Sequence, residues 1–291
     1  MLPNSSAALD ASYLHSLAST YGVLPLGGVS LNYDTGHREL VVTGGGLVRV
    51  FNDSGMEVFT FGEDPGIGGV LSAVPIDDGG LMVLSSLEGK LSLLRCNFRG
   101  EPVGRVELKD VPEAFSNLSP TALRYVNGKL YLADSAQMKV LVADGEGKVV
   151  AAHDVAKLLG LEAQRADTGF RGFNVDGSGN LLVTVQPLFS AYVISPAGEV
   201  KAFGIRGSGP GKFNVVGGIA RDPAGNIYVA DILRSAVIVF DPSLKFVREF
   251  GYRGRAASNL AAPDELALCD GKLYVANNGR RGVSVFKVGQ Q

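Results

Sequence analysis

One four-strand unit recurs along this chain, and that recurrence limits what the chain can fold into more than any other feature. The unit is clearest between Gly204 and Gly251, in the stretch GIRGSGPGKFNVVGGIARDPAGNIYVADILRSAVIVFDPSLKFVREFG. GGIARD, NIYVADI, AVIVFD and FVREFG read as strands, because Val, Ile, Phe and Tyr suit a pleated, half-buried surface. PAGN and PSLK read as turns, since Pro presets φ and Gly or Asn accepts left-handed dihedrals. Tyr131 and Tyr228 each open a Tyr-Leu/Val-Ala-Asp run and stand 97 residues apart, while Tyr274 follows Tyr228 by 46. Phe-Gly closes a unit at Gly62, Gly204 and Gly251. A period of about 48 residues marks a supersecondary unit that buries its faces by stacking on its neighbours.

Carried along the chain, the pattern gives six units, at approximately 25–62, 63–108, 109–151, 152–204, 205–251 and 252–291. The sixth ends after three strands, ELALCDGK, LYVANN and GVSVFKV. The expected fourth strand comes from the N-terminus at 16–22, with Leu17, Ser19 and Tyr21 on the positions of Phe246, Arg248 and Phe250. Helical spacing in AALDASYLHSLA leaves a helix over 7–18 as the alternative. Two inserts break the rhythm: HDVAKLLGLEAQRA at 153–166 fits a short helix with Asp154 as N-cap, and VPEAFSN at 111–117 fits one helical turn.

The reference unit resembles an NHL repeat, the blade of a family of β-propellers. Gly207, Gly209, Gly211, Phe213, the Asp222–Gly225–Asn226 turn, Tyr228-Val229-Ala230-Asp231, Val239-Phe240-Asp241 and Phe250-Gly251 carry the resemblance. It implies an all-β fold, a single six-bladed propeller of four-stranded antiparallel blades spanning 1–291 and closed by the N-terminal strand. Closure removes the exposed sheet edges at the two ends of the array.

Antiparallel geometry then sorts the connections onto two faces. Long loops between units (63–70, 109–118, 152–170, 205–215 and 252–263) share one face with the second-to-third strand loops. The tight turns occupy the other. Long loops on a rigid scaffold are the usual place for binding, so the long-loop face is the expected site. Arg171, Arg206, Arg234, Arg253 and Arg280 map there, with Phe189, Phe213 and Tyr252 as apolar area. The expectation is a non-enzymatic scaffold for a protein, a peptide or a small anionic ligand, because Arg pairs with carboxylate and phosphate through a rigid fork of donors. Acids interleaved on the same face, among them Asp64, Asp110, Glu113 and Asp167, offer the opposite reading of a surface neutralised by local pairs.

The alternative is a metal-dependent hydrolase or lactonase with calcium in the central funnel, as the resemblance to six-bladed folds implies; Asn174, Asn214 and Asp264 stand where its ligands would come from. A histidine-ligated lyase is disfavoured by the three histidines, His15, His37 and His153, which fall in different units. Some NHL propellers bind RNA through a strongly basic top, but this chain has a net charge of −2 and its arginines alternate with acids. GSGPGK at 207–212 leads into a strand rather than opening a helix, so it reads as a connector and not a phosphate loop. Asp134, Asp231 and Asn277 recur at equivalent strand ends, as turn-fixing side chains do. Cys96 and Cys269 lie in strand-like runs and read as buried free thiols. No run is long and apolar enough for a membrane span. The first residues lack the n- and h-regions of a signal peptide, and the compartment stays open, export included if a leader has been trimmed.

Overall fold

The computed structural model describes residues 9–17, 29–62, 64, 66–278 and 281–290. Six four-stranded antiparallel sheets form a ring, a six-bladed β-propeller. Their strands fall within 30–61, 69–106, 122–154, 173–203, 216–251 and 263–290, the last sheet completed by Leu9–Ser16. Each blade runs outward from its innermost strand. The innermost strands are Ser30–Asp34, Gly69–Pro75, Ala122–Val126, Phe173–Val175, Val216–Arg221 and Pro263–Cys269.

The middle strands read as continuous apolar runs because they are covered on both faces. Leu181–Val185, Ile227–Asp231 and Ala236–Phe240 are buried throughout. Outermost strands such as Glu57–Phe61 and Pro102–Val106 are largely exposed. The apolar side chains gather into six clusters, one between each pair of neighbouring blades, including the pair made by the last blade and the first. The ring is held shut by the same face-to-face packing that joins any two blades within it.

The closing strand is Leu9–Ser16, which lies ahead of the 16–22 expected from the sequence. It pairs antiparallel with Val283–Gln290, with Tyr13 opposite Phe286 and Asp10 opposite Gly289. Alternation decides the register. Ala11 and Tyr13 face the cluster between the fifth and sixth blades, and Leu17 is buried, while Leu14 points out. The Tyr13 and Phe286 rings meet edge to face at 5.8 Å. The helical alternative would gather Tyr13, Leu14 and Leu17 on one face but leave the edge of Val283–Gln290 unpaired. Ser19 and Tyr21 lie outside the described residues.

Both inserts form as expected. Asp154 caps the helix Val155–Leu158, its carboxylate accepting the Lys157 N–H at 3.1 Å, and Glu162–Asp167 adds a 3-10 turn. Glu113–Phe115 is the single turn in the earlier insert. The Phe-Gly that closes the fourth blade has a steric reason. Gly204 has φ of 83°, and a Cβ there would stand 2.1 Å from the Phe213 ring. Among the described residues no helix is long and apolar enough to cross a membrane.

Candidate functional site

The strand-end acids are turn fixtures. Asp231 accepts the N–H groups of Asn214 at 2.7 Å, Val215 at 3.3 Å and Arg234 at 3.0 Å, so one carboxylate ties the loop entering the blade to the turn between its middle strands. Asp134 does the same with Ser119 and Gln137, and Asn277 accepts from Ala261. Thr184 takes this place in the fourth blade, accepting the Gly172 N–H, while Thr43 of the first blade accepts the N–H of Ala73 in the second.

The centre of the ring is polar. Arg124, on the innermost strand of the third blade, reaches across it and is 5% exposed. Its Nε donates to Asn174 Oδ1 at 3.3 Å. One terminal nitrogen donates to Ser30 Oγ at 3.3 Å and Leu123 O at 2.8 Å. The other donates to Phe173 O at 2.8 Å and to the Glu265 carboxylate. A guanidinium has five N–H groups, and here each has an acceptor. Ser30, Asn32 and Ser72 extend the network to the first and second blades. Burial pushes the Glu265 carboxyl up to about 7, against the pull of the Arg124 charge. Together this pair closes the channel.

On the tight-turn side of that closure the channel opens into a funnel of about 1060 Å³. It narrows inward to a neck of about 160 Å³ lined by Asn32, Arg124 and Asn174. The turns that join first to second strands form its wall. Asp34, Asp77, Asp176, Asp222 and Asp270 line it, one from each of five blades, and Asn127 holds the place in the third blade. The rim is latched from blade to blade. Tyr125 OH donates to Asp77 at 2.9 Å, Asn127 Nδ2 to Gly177 O at 2.8 Å, and Arg221 to Asp176 at 2.9 Å. Among the described residues, Arg221 and His37 are the basic side chains of the rim. His37 Nδ1 lies 2.9 Å from Asp34 Oδ2, and that hydrogen bond raises the imidazole pKa above its ordinary value. Neighbouring cations are engaged outside the funnel: Arg38 and Lys272 on Asp53, and Arg95 on Asp78.

The residues expected to bind on the long-loop face meet different fates. Arg234 is tied to Glu249 and donates to Lys212 O at 3.0 Å. Arg171 pairs with Asp264. Arg206 is exposed and stacks over Phe189, 5.1 Å from its centroid, and Phe189 is itself partly buried against the cluster between the fourth and fifth blades. Arg253 is exposed, and Tyr252 is exposed with its hydroxyl 3.1 Å from Glu249. Phe213 is fully buried against Phe240, so it offers no contact area; the Gly-rich loop folds it inward to fill the space beside Gly204. Arg280 lies outside the described residues.

The three residues considered for calcium each engage a different partner. Asn174 accepts from Arg124, Asp264 pairs with Arg171, and Asn214 contacts Ser208 at 3.4 Å. A divalent ion needs converging oxygens free of competing charge, whereas Asn174 already faces a guanidinium. These donors do not fit the ion. Among the described residues no group of three or more His, Cys, Asp or Glu is placed to hold a metal. Both thiols are free, Cys96 buried and Cys269 half-buried, and burial pushes them up to about 11 and about 12, which keeps them protonated.

Sequence reasoning placed Arg124 on a first strand without assigning it a role, and counted Glu265 among the acids of the long-loop face. The available signal was a charged residue between Leu123 and Tyr125 in a first strand, since first strands line the axis of a propeller.

No protein-family model matches the chain, and no curated protein does. Solved structures do. A protein of unknown function from Bacteroides thetaiotaomicron VPI-5482 is 16% identical with a TM-score of 0.63, covering 97% of this chain and 76% of that one. A putative gluconolactonase is 14% identical with a TM-score of 0.57, covering 99% and 94%. A streptogramin B lyase is 11% identical with a TM-score of 0.57, covering 97% of each. At such identities the likeness establishes the propeller fold, which the neighbours use for enzymes as well as for proteins of unknown function.

Proposed function

We propose that this propeller is a binding protein that takes a cationic ligand into the funnel on its tight-turn face. One observation carries the reading: a concave space of about 1060 Å³ is walled by five aspartates from five blades, and its one arginine, Arg221, is spent on Asp176. A low-dielectric concavity lined by one sign of charge focuses its field and attracts the opposite sign. The floor supports binding rather than passage, because the satisfied Arg124–Glu265 pair stops the channel. This reading moves the expected site from the long-loop face, where Arg171 and Arg234 are consumed by partners within the chain.

Tetralysine is a suitable probe. Asp77→Asn, Asp222→Asn and Asp270→Asn together should weaken its binding at least about tenfold, which is ~1.4 kcal/mol, with cooperative unfolding retained. Equal affinity for wild type and triple variant would rule the funnel out.

A second reading rests on Arg206, whose exposed guanidinium lies on Phe189, and on Arg253 and Tyr252, exposed in the next long loop. These groups suit an acidic peptide. Arg206→Glu with Arg253→Glu should then abolish capture of a tetraglutamate probe; capture that survives the change removes this reading.

A further inference from the structure

A groove leaves the funnel between the first and second blades. It encloses about 380 Å³ and shares Asp34, His37 and Gly79 with the funnel, so the two spaces are continuous. Its outer end is apolar apart from Arg99, whose guanidinium lies over the Phe98 ring at 5.3 Å. Val58 is 47%, Phe59 37% and Phe98 67% exposed, unlike the buried aromatics between blades. Its inner end is acidic. Asp34 and Glu39 line it, and burial raises the Glu39 carboxyl. Apolar side chains side by side on a surface, next to an acidic cleft, are costly to leave uncovered and mark an interaction site.

We infer that the ligand of the funnel is an extended segment of a partner protein, with basic side chains in the funnel and an adjoining pair of apolar side chains in this groove. The inference rests on the funnel reading. Charge complementarity sets the basic part: the aspartates of the rim and Glu39 line one continuous space. The unbroken step from Asp34 and His37 to Phe59 and Phe98 sets the order, basic next to apolar. A small polyamine would fill the funnel and leave the groove empty, so the groove distinguishes the two occupants.

Two amidated peptides test this by fluorescence polarisation on the full chain, one with three lysines followed by Leu-Phe and one with three lysines followed by Ser-Ser. The Leu-Phe peptide should bind at least about tenfold tighter, since burying even part of two large apolar groups contributes that much. Phe59→Ser with Phe98→Ser should bring it down to the level of the Ser-Ser peptide. Equal binding of both peptides to wild type, with the aspartate variants still weakening each, would overturn the groove and leave the funnel standing. Failure of both peptides to bind would overturn the funnel and the groove together. A dimer in sedimentation that Phe59→Ser with Phe98→Ser dissolves would assign the groove to a second copy of the chain and also overturn the inference.

Discussion

Arg124 holds the centre of this molecule by completeness of bonding. A buried charge is tolerated when it is paired and when its remaining hydrogens are satisfied, and all five donors of this guanidinium meet acceptors from four blades. Arg124→Leu should therefore cost about 3–5 kcal/mol, because it leaves the Glu265 carboxylate and two carbonyls without a donor. Denaturant unfolding reads that loss directly. Glu265 has a sign of its own. Its folded pKa, about 7, stands above the ordinary 4.5, so the folded protein holds the proton more tightly than the unfolded chain. Stability from this group is fullest below the unfolded value and falls as pH rises through about 7. Wild type should lose stability between about pH 4.5 and 7, and Glu265→Gln should flatten that slope. A slope that persists in the variant would place its origin elsewhere.

Residues of this kind show where the sequence stops being legible. Asp134, Asp231 and Asn277 were readable because they repeat at one position of the unit, and repetition is visible in a string. Arg124 occurs once. Its meaning depends on Ser30, Phe173, Asn174 and Glu265, which reach it only when the ring closes. Phe213 was misread for the opposite reason: a loop rich in Gly reads as exposed, but its glycines are what let the loop fold an aromatic ring into the core.

At the scale of elements, the strand Leu9–Ser16 carries the closure. It contributes the outermost position of a blade whose other three strands come from the far end of the chain. Deleting residues 1–17 should expose the edge of Val283–Gln290 and uncover Phe286, giving aggregation or loss of cooperative unfolding. A soluble, equally stable deletion would show that the sixth blade stands on three strands. That an N-terminal strand closes the ring was legible from the missing fourth strand of the last unit. Its position was not, because the spacing from Phe-Gly fitted 16–22 by analogy with other blades, while the actual register is fixed by Tyr13 meeting Phe286. The turn fixtures belong to this scale too. Asp231→Ala frees three backbone N–H groups at once and should cost at least about 1–3 kcal/mol, measurable as a lowered denaturation midpoint with an unchanged slope.

For the whole molecule, six units and one closure produce two unlike faces. The long loops pair their charges internally at Arg171 and Arg234, and the tight turns gather aspartates round a closed funnel. Asp34, Asp176 and Asp222 each serve their own turn, as Asp222 does by accepting the Asn226 N–H at 2.7 Å, so those three were readable alone as turn residues. Their convergence on one concavity is a property of the ring. The measurement that tests this account most directly is a titration of tetralysine into isotope-labelled protein, followed by amide chemical shifts. The account predicts that the shifts concentrate at the funnel rim, on Tyr125, Asn127, Gly177, Asp222 and Asp270. Shifts confined to 205–215 and 252–263 on the opposite face would contradict it.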